Sequence, residues 1–154
     1  MGFFFEVYPD GRLISLIRDP KNWYPSALRH GPKLYGNIKL ALLQWNESAQ
    51  AMLRNKNLYG DRIRLFKFED LVADTEAVMR YLAKFLDIEF NDILVEPTFN
   101  KAPIKAHTSF KAENHGIIGG TQSRYKTLTE SELDTIEKMT AELYSRVLKE
   151  VLNF

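Results

Sequence analysis

Apolar residues recur along this chain in two rhythms. From Leu13 to Ile17 ("LISLI") only Ser15 interrupts an apolar run, the pattern of a strand buried on both faces. From Asn37 to Lys56, Ile38, Leu42, Trp45, Ala49, Met52 and Leu53 recur at helical spacing, which predicts a long amphipathic helix. Arg62 to Phe68 alternates in part and predicts a second strand, after a turn over Asn57 to Asp61 that contains Gly60. Asp74 is placed to cap a helix bearing Val78, Met79, Leu82, Phe85 and Leu86. Thr129 and Glu132 form a capping-box pair ahead of a last helix striped by Leu133, Ile136, Leu143, Val147 and Val151. Phe3 to Tyr8 adds either a helix or a strand.

Two stretches break the rhythm. After Ile17 comes Arg18-Asp19-Pro20, where Asp19 reads as a helix N-cap and Pro20 as the first helical residue. Pro25 should kink or split that helix, because it cannot donate to the ladder. Phe90 to Tyr125 has little periodicity and holds Pro97, Pro103, Gly116, Gly119 and Gly120. A connection that long is usually functional or disordered. The order is strand, helix, helix, strand, helix, long loop, helix. It predicts a single α/β domain over residues 1–154 with few parallel strands and several helices. Two strands are few for a complete sheet, so the pattern reads as part of a larger fold.

Composition narrows the picture. The 154 residues suit one domain, and 45% hydrophobic content is enough for a packed core. The net charge of +1 argues against nonspecific nucleic-acid binding and a polybasic membrane anchor. Without cysteine there is neither a disulfide frame nor a thiolate zinc site. No apolar run approaches the ~20 residues of a membrane span, and residues 1–17 lack a signal-peptide pattern. The expectation is a soluble, cytoplasmic domain.

The chemistry concentrates after the first strand. An arginine at a strand end, followed by a helix N-terminus, makes an anion trap. The guanidinium offers a fork, and free N–H groups and the helix dipole add to it. Ser26 lies about two helical turns beyond Arg18. The competing reading pairs Arg18 with Asp19 or Glu69 and leaves Ser26 solvated. Spacing alone leaves both open.

"LISLIRDPKNWYPS" closely resembles the 3′-phosphate-binding segment of the sulfotransferase family, which uses 3′-phosphoadenosine 5′-phosphosulfate (PAPS). "EVYPDGRL" resembles the lead-in to that segment. "YGDRIRLFKFEDLVADTEAVMRYLAKFLDI" resembles its aromatic-Glu-Asp-Leu segment, and "SRYKTLTESEL" resembles a late segment with a cofactor-binding basic residue. The resemblance implies the C-terminal part of a P-loop-type sulfotransferase fold. It implies that Arg18 and Ser26 grip the 3′-phosphate of PAPS or of its product, adenosine 3′,5′-bisphosphate. Arg124 takes the place of the late basic residue, and Ser109 that of a cofactor-contacting serine in the tyrosylprotein enzymes. Phe68 stands where some relatives place a cofactor-contacting tyrosine.

The family also grips the 5′-phosphosulfate with a Lys- and Gly-containing loop that comes before these segments. Here "HGIIGGTQSRYK" has the glycines without the G-x-x-x-x-G-K-[ST] spacing. It lies where the family has a lid. The family's general base commonly lies in the earlier half as well, so no catalytic residue is assigned. The implied activity is sulfuryl transfer to a hydroxyl or amine acceptor that the sequence does not identify. The alternative is a noncatalytic remnant acting as a binding module or homo-oligomer.

His30, His107 and His115 have no metal-ligand spacing. Glu69-Asp70 reads as a structural pair. Trp45 reads as core, while Trp23, Tyr24 and Tyr35 are candidates to stack a ring. Lys101, Lys105, Lys111, Arg124 and Lys126 bias the long loop towards an anionic ligand.

Overall fold

The computed structural model describes residues 2–96, 98–100, 102–103 and 119–152. Helices dominate, and a parallel pair of strands lies among them, so the chain is mixed α/β. β1 (Leu13–Ile17) and β2 (Ile63–Lys67) run side by side, Leu13 opposite Ile63 and Ile17 opposite Lys67. Parallel neighbours need a crossover. It is supplied by α2 (Pro20–His30), α3 (Pro32–Tyr35) and α4 (Ile38–Tyr59). Ahead of β1, the Phe3 to Tyr8 stretch resolves as helix α1 (Gly2–Val7). After β2 come α5 (Phe68–Ala73), α6 (Thr75–Leu86) and a small hairpin of β3 (Thr98–Phe99) and β4 (Ala102–Pro103). A 3₁₀ segment, Gly119–Thr127, leads into α7 (Glu130–Leu148). Val151 then bridges Leu65 in parallel fashion.

Local chemistry explains the boundaries. Asp19 caps α2 by accepting the Lys21 N–H at 2.7 Å, and Asp74 caps α6 by accepting the Ala77 N–H at 3.0 Å. Both halves of the Thr129–Glu132 capping box form at α7. Pro25 does not split α2, contrary to the sequence expectation. It removes only the bond its N–H would make to the Lys21 carbonyl, and its ring is buried. The turn expected over Asn57 to Asp61 is shorter, because α4 continues through Tyr59. Tyr59 packs its ring 4.2 Å from that of Phe5, and the chain turns at Gly60, whose φ of 54° suits glycine.

The sheet separates two cores. On one face Ile17, Ile63 and Leu65 meet Trp45, Ala49 and Leu53 of α4 and Val147 of α7. A neighbouring cluster of Tyr24, Ala41, Leu42 and Ile136 joins α2, α4 and α7. Strand residues alternate faces, so Phe66 points away from Leu65 and packs with Val78 and Leu82 of α6. Full burial of each such aliphatic side chain contributes about 1.5–3 kcal/mol. Ile14 and Leu16 share the register of Arg64 and Phe66, yet remain 39% and 38% exposed. The expectation that β1 is buried on both faces is thus corrected. Among the described residues α6 covers this face at β2 and leaves β1 partly open.

Candidate functional site

Arg18 is the first residue beyond β1. Its backbone is fixed from α4, where the Trp45 indole N–H donates to the Arg18 carbonyl at 3.2 Å. Trp45 is therefore both core and scaffold. The Arg18 guanidinium lies 4.6 Å from the centre of the Phe68 ring, a cation–π contact. The residue that lacks the tyrosine hydroxyl still supports the arginine.

The N-terminus of α2 differs from expectation. Its amides were expected to face an anion, but the Lys21 N–H is taken by the Asp19 carboxylate. The Asn22 and Trp23 N–H groups go to the Asp19 carbonyl, and Pro20 has none. Side chains, not helix-terminal amides, define the pole of this site.

Ser26 and Arg124 come together across 98 residues of sequence, and the Arg124 guanidinium donates to the Ser26 hydroxyl at 2.5 Å. Arg124 is buried, although its neighbours Ser123 and Tyr125 are exposed. Burial first, and then the charge of Arg124, lower the pKa of Arg18 to about 10. Burial likewise lowers Arg124, followed by the charge of Arg29. Arg124 thus disfavours the charge of Arg18, and Arg29 that of Arg124. Arg29 was missed in the sequence. It lies three residues beyond Ser26, on the same face of α2, and the i,i+3 relation is the signal that finds it.

Acidic groups balance the site from beneath. Asp19 and Glu69 both act to raise the pKa of Arg18, so part of the alternative pairing persists alongside the Arg124 neighbour. Glu69 accepts the Asp19 N–H at 3.2 Å, and its own carbonyl accepts the Gln122 side-chain amide at 3.0 Å. Burial pushes the Glu69 carboxyl above its ordinary range. Lys67 holds Asp70 at 3.1 Å. Burial raises the Tyr144 phenol too, followed by the charges of Asp19, Glu69 and Asp70. The acidic pair has a structural part here.

Beside Arg18 opens a cleft of about 280 Å³, walled by Trp23, Tyr35, Trp45 and Met52. Trp23 and Tyr35 meet edge to face with centroids 5.7 Å apart. Tyr24 does not join them, because it is 2% exposed within the core. His30 is exposed at the end of α2. Ser109, His107, His115, Lys101, Lys105 and Lys111 lie outside the described residues. Among the described residues no cluster of metal-ligating side chains forms, and no helix is long and apolar enough to cross a membrane.

A guanidinium bonded to the Ser26 hydroxyl, with a second guanidinium close enough to feel its charge, suits a phosphate-like anion. The arginines tolerate each other better with a dianion between them, and charge-assisted bonds to phosphate are strong. Residues 1–92 match the model of a family described as the sulfotransferase family. That match includes Arg18 and Ser26 and stops before Arg124. A protein-tyrosine sulfotransferase of Drosophila melanogaster is 24% identical over 98 residues, 60% of this chain and 20% of that protein. A solved sulfotransferase domain from the curacin biosynthetic pathway aligns with a TM-score of 0.62 at 21% identity. It covers 86% of this chain and 54% of that domain, so the chain spans about half the length of the solved domain. At that identity the likeness is one of fold.

Proposed function

The chain belongs to the sulfotransferase family, and from that membership we propose that it binds the 3′-phosphate of PAPS, or of adenosine 3′,5′-bisphosphate, through Arg18, Ser26 and Arg124. The observation that carries this reading is the Arg124–Ser26 hydrogen bond at 2.5 Å. With the charge of Arg124 also felt at Arg18, it supports a reading in which the two arginines share one anion. Arg18 holds one side of the phosphate from its seat on Phe68. Arg124 holds the other, and Ser26 adds a hydroxyl. Arg29 supplies further positive potential from the same helix face. The cleft walled by Trp23 and Tyr35, whose rings stand edge to face, offers an aromatic face for an adenine or an acceptor ring to stack on.

The bound nucleotide supplies the activated sulfuryl group. The chain's own residues fix the nucleotide end remote from the transfer and exclude nucleotides that lack a 3′-phosphate. We assign to the whole protein sulfuryl transfer to a hydroxyl or amine acceptor, a class that includes the tyrosyl hydroxyl named for the fly relative. Ser109 is proposed as an added cofactor contact on the family pattern, and a cytoplasmic setting as the place of action.

Calorimetric titration tests the reading. Adenosine 3′,5′-bisphosphate should bind at least about tenfold more tightly than AMP, because a charge-assisted phosphate contact is worth roughly 1.5–3 kcal/mol. Arg18→Ala should erase that preference. Equal affinity for the two nucleotides, or an unchanged preference in Arg18→Ala, overturns it. A second reading is favoured by the exposed Ile14 and Leu16. On that reading the chain is a noncatalytic module that associates with itself through the open face of β1.

A further inference from the structure

Arg124 is the site residue with the least regular support. It sits in a 3₁₀ segment whose backbone departs from helical angles at Ser123 (φ −116°, ψ 15°). Neither strand pairing nor an α-helical ladder fixes it. Its guanidinium must nevertheless meet Ser26 on α2, and its side chain must turn inwards while Ser123 and Tyr125 stay exposed. Two cross-chain hydrogen bonds bracket it. Two residues before, the Gln122 side chain donates to the Glu69 carbonyl at 3.0 Å. One residue after, the Tyr125 N–H donates to the side-chain oxygen of Asn22 at 3.2 Å.

Asn22 is unusual for its type. It is 6% exposed, and asparagine is seldom so buried without a polar partner. It lies in the first turn of α2, one turn before Ser26. The same helix therefore presents the hydroxyl that Arg124 contacts and the oxygen that anchors the residue beside Arg124. The Asn22 side-chain oxygen bonds to the chain beside Arg124, not to Arg124 or Ser26. Its bond goes to backbone.

We infer that Asn22 is a positioning residue for anion binding, holding Arg124 against Ser26 by accepting the Tyr125 N–H. This rests on the nucleotide reading above. A purely structural Asn22 would support α2 or the core and would affect every ligand alike. A positioning Asn22 acts through Arg124 alone and matters only for ligands that carry a 3′-phosphate.

The test has two independent readouts on the intact chain. The first is amide hydrogen exchange without ligand. Asn22→Ala should speed exchange at Tyr125 by about tenfold or more, since an amide released from its bond exchanges through a cheaper opening. Asn22→Asp retains an oxygen acceptor and should keep Tyr125 protected. The second is a mutant cycle read by calorimetry. Asn22→Ala should weaken adenosine 3′,5′-bisphosphate about five- to tenfold, the worth of one buried hydrogen bond, and leave AMP unchanged. In an Arg124→Ala background it should add less than about twofold, because residues acting as a unit are not additive.

Unchanged exchange at Tyr125 overturns the tether. Faster exchange with an equal loss for both nucleotides, or an undiminished loss in the Arg124→Ala background, overturns the positioning role. If the wild-type chain shows no preference for the 3′-phosphate, the nucleotide reading falls and the positioning role falls with it. If it shows the preference and Asn22→Ala keeps wild-type affinity, only the Asn22 inference is lost.

Discussion

Glu69 carries two bonds that cross the chain, one at its carboxyl and one at its carbonyl. Its carboxylate is nonetheless costly, because burial raises its pKa from the ordinary 4.5. In the unfolded chain Glu69 loses its proton near that ordinary value. In the fold it keeps the proton to a higher pH. Between the two values the folded state binds more protons than the unfolded one, so stability falls as pH rises from about 4.5 through the folded value. Glu69→Gln keeps an oxygen for the Asp19 N–H and removes the titration. Urea unfolding should show the variant gaining on wild type as pH climbs through this window. A constant difference across the range would refute the assignment. Such residues show what the sequence hides. Arg18 and Ser26 could be singled out because both fall within one short stretch that resembles a family segment, although their spacing alone left the anion reading open. Asn22, Glu69 and Gln122 act on backbone groups 50 to 103 residues away, and no local spacing encodes that.

At the scale of elements, capping and periodicity were the most readable features. The Asp19, Asp74 and Thr129 caps form where the sequence placed them. The apolar stripes of α4, α6 and α7 supply the buried Leu42, Val78 and Ile136. Apolarity in β1 was less informative. It records which faces tolerate burial, whereas the cover depends on where α6 lies, and α6 lies over Phe66. Helix α6 supplies none of the residues proposed to touch the anion, which gives a sharp contrast. Asp74→Ala removes the bond to the Ala77 N–H and should cost about 1 kcal/mol in denaturant unfolding. Nucleotide affinity should stay within about twofold, since remote sites are additive. A larger affinity loss would mean that α6 braces the β2–α5 turn more tightly than its contacts indicate.

For the whole molecule, the parallel pair β1 and β2 is well buried on the α4 and α7 side and half covered on the other. Ile14 and Leu16 form the uncovered part, and neither carries a charge that would deter association. Replacing both by threonine places β-branched residues suited to a strand at each position and removes apolar surface. Stability should change by no more than about 0.5 kcal/mol each, as for surface positions. Sedimentation velocity should show less self-association than wild type. A monomeric wild type under the same conditions removes the support for the self-associating module.

The bond between Arg124 and Ser26 spans 98 residues, and this separates its partners in time as well as in sequence. Ribosomes add roughly 5–20 residues per second. The serine and the strand-end arginine therefore leave the ribosome roughly 5–20 seconds before the second arginine does. During that interval α2 has its cap and its hydroxyl, but Arg124, the guanidinium that donates to that hydroxyl, has yet to be made. On the proposed reading, the full 3′-phosphate site is complete only when the segment before α7 has closed onto α2.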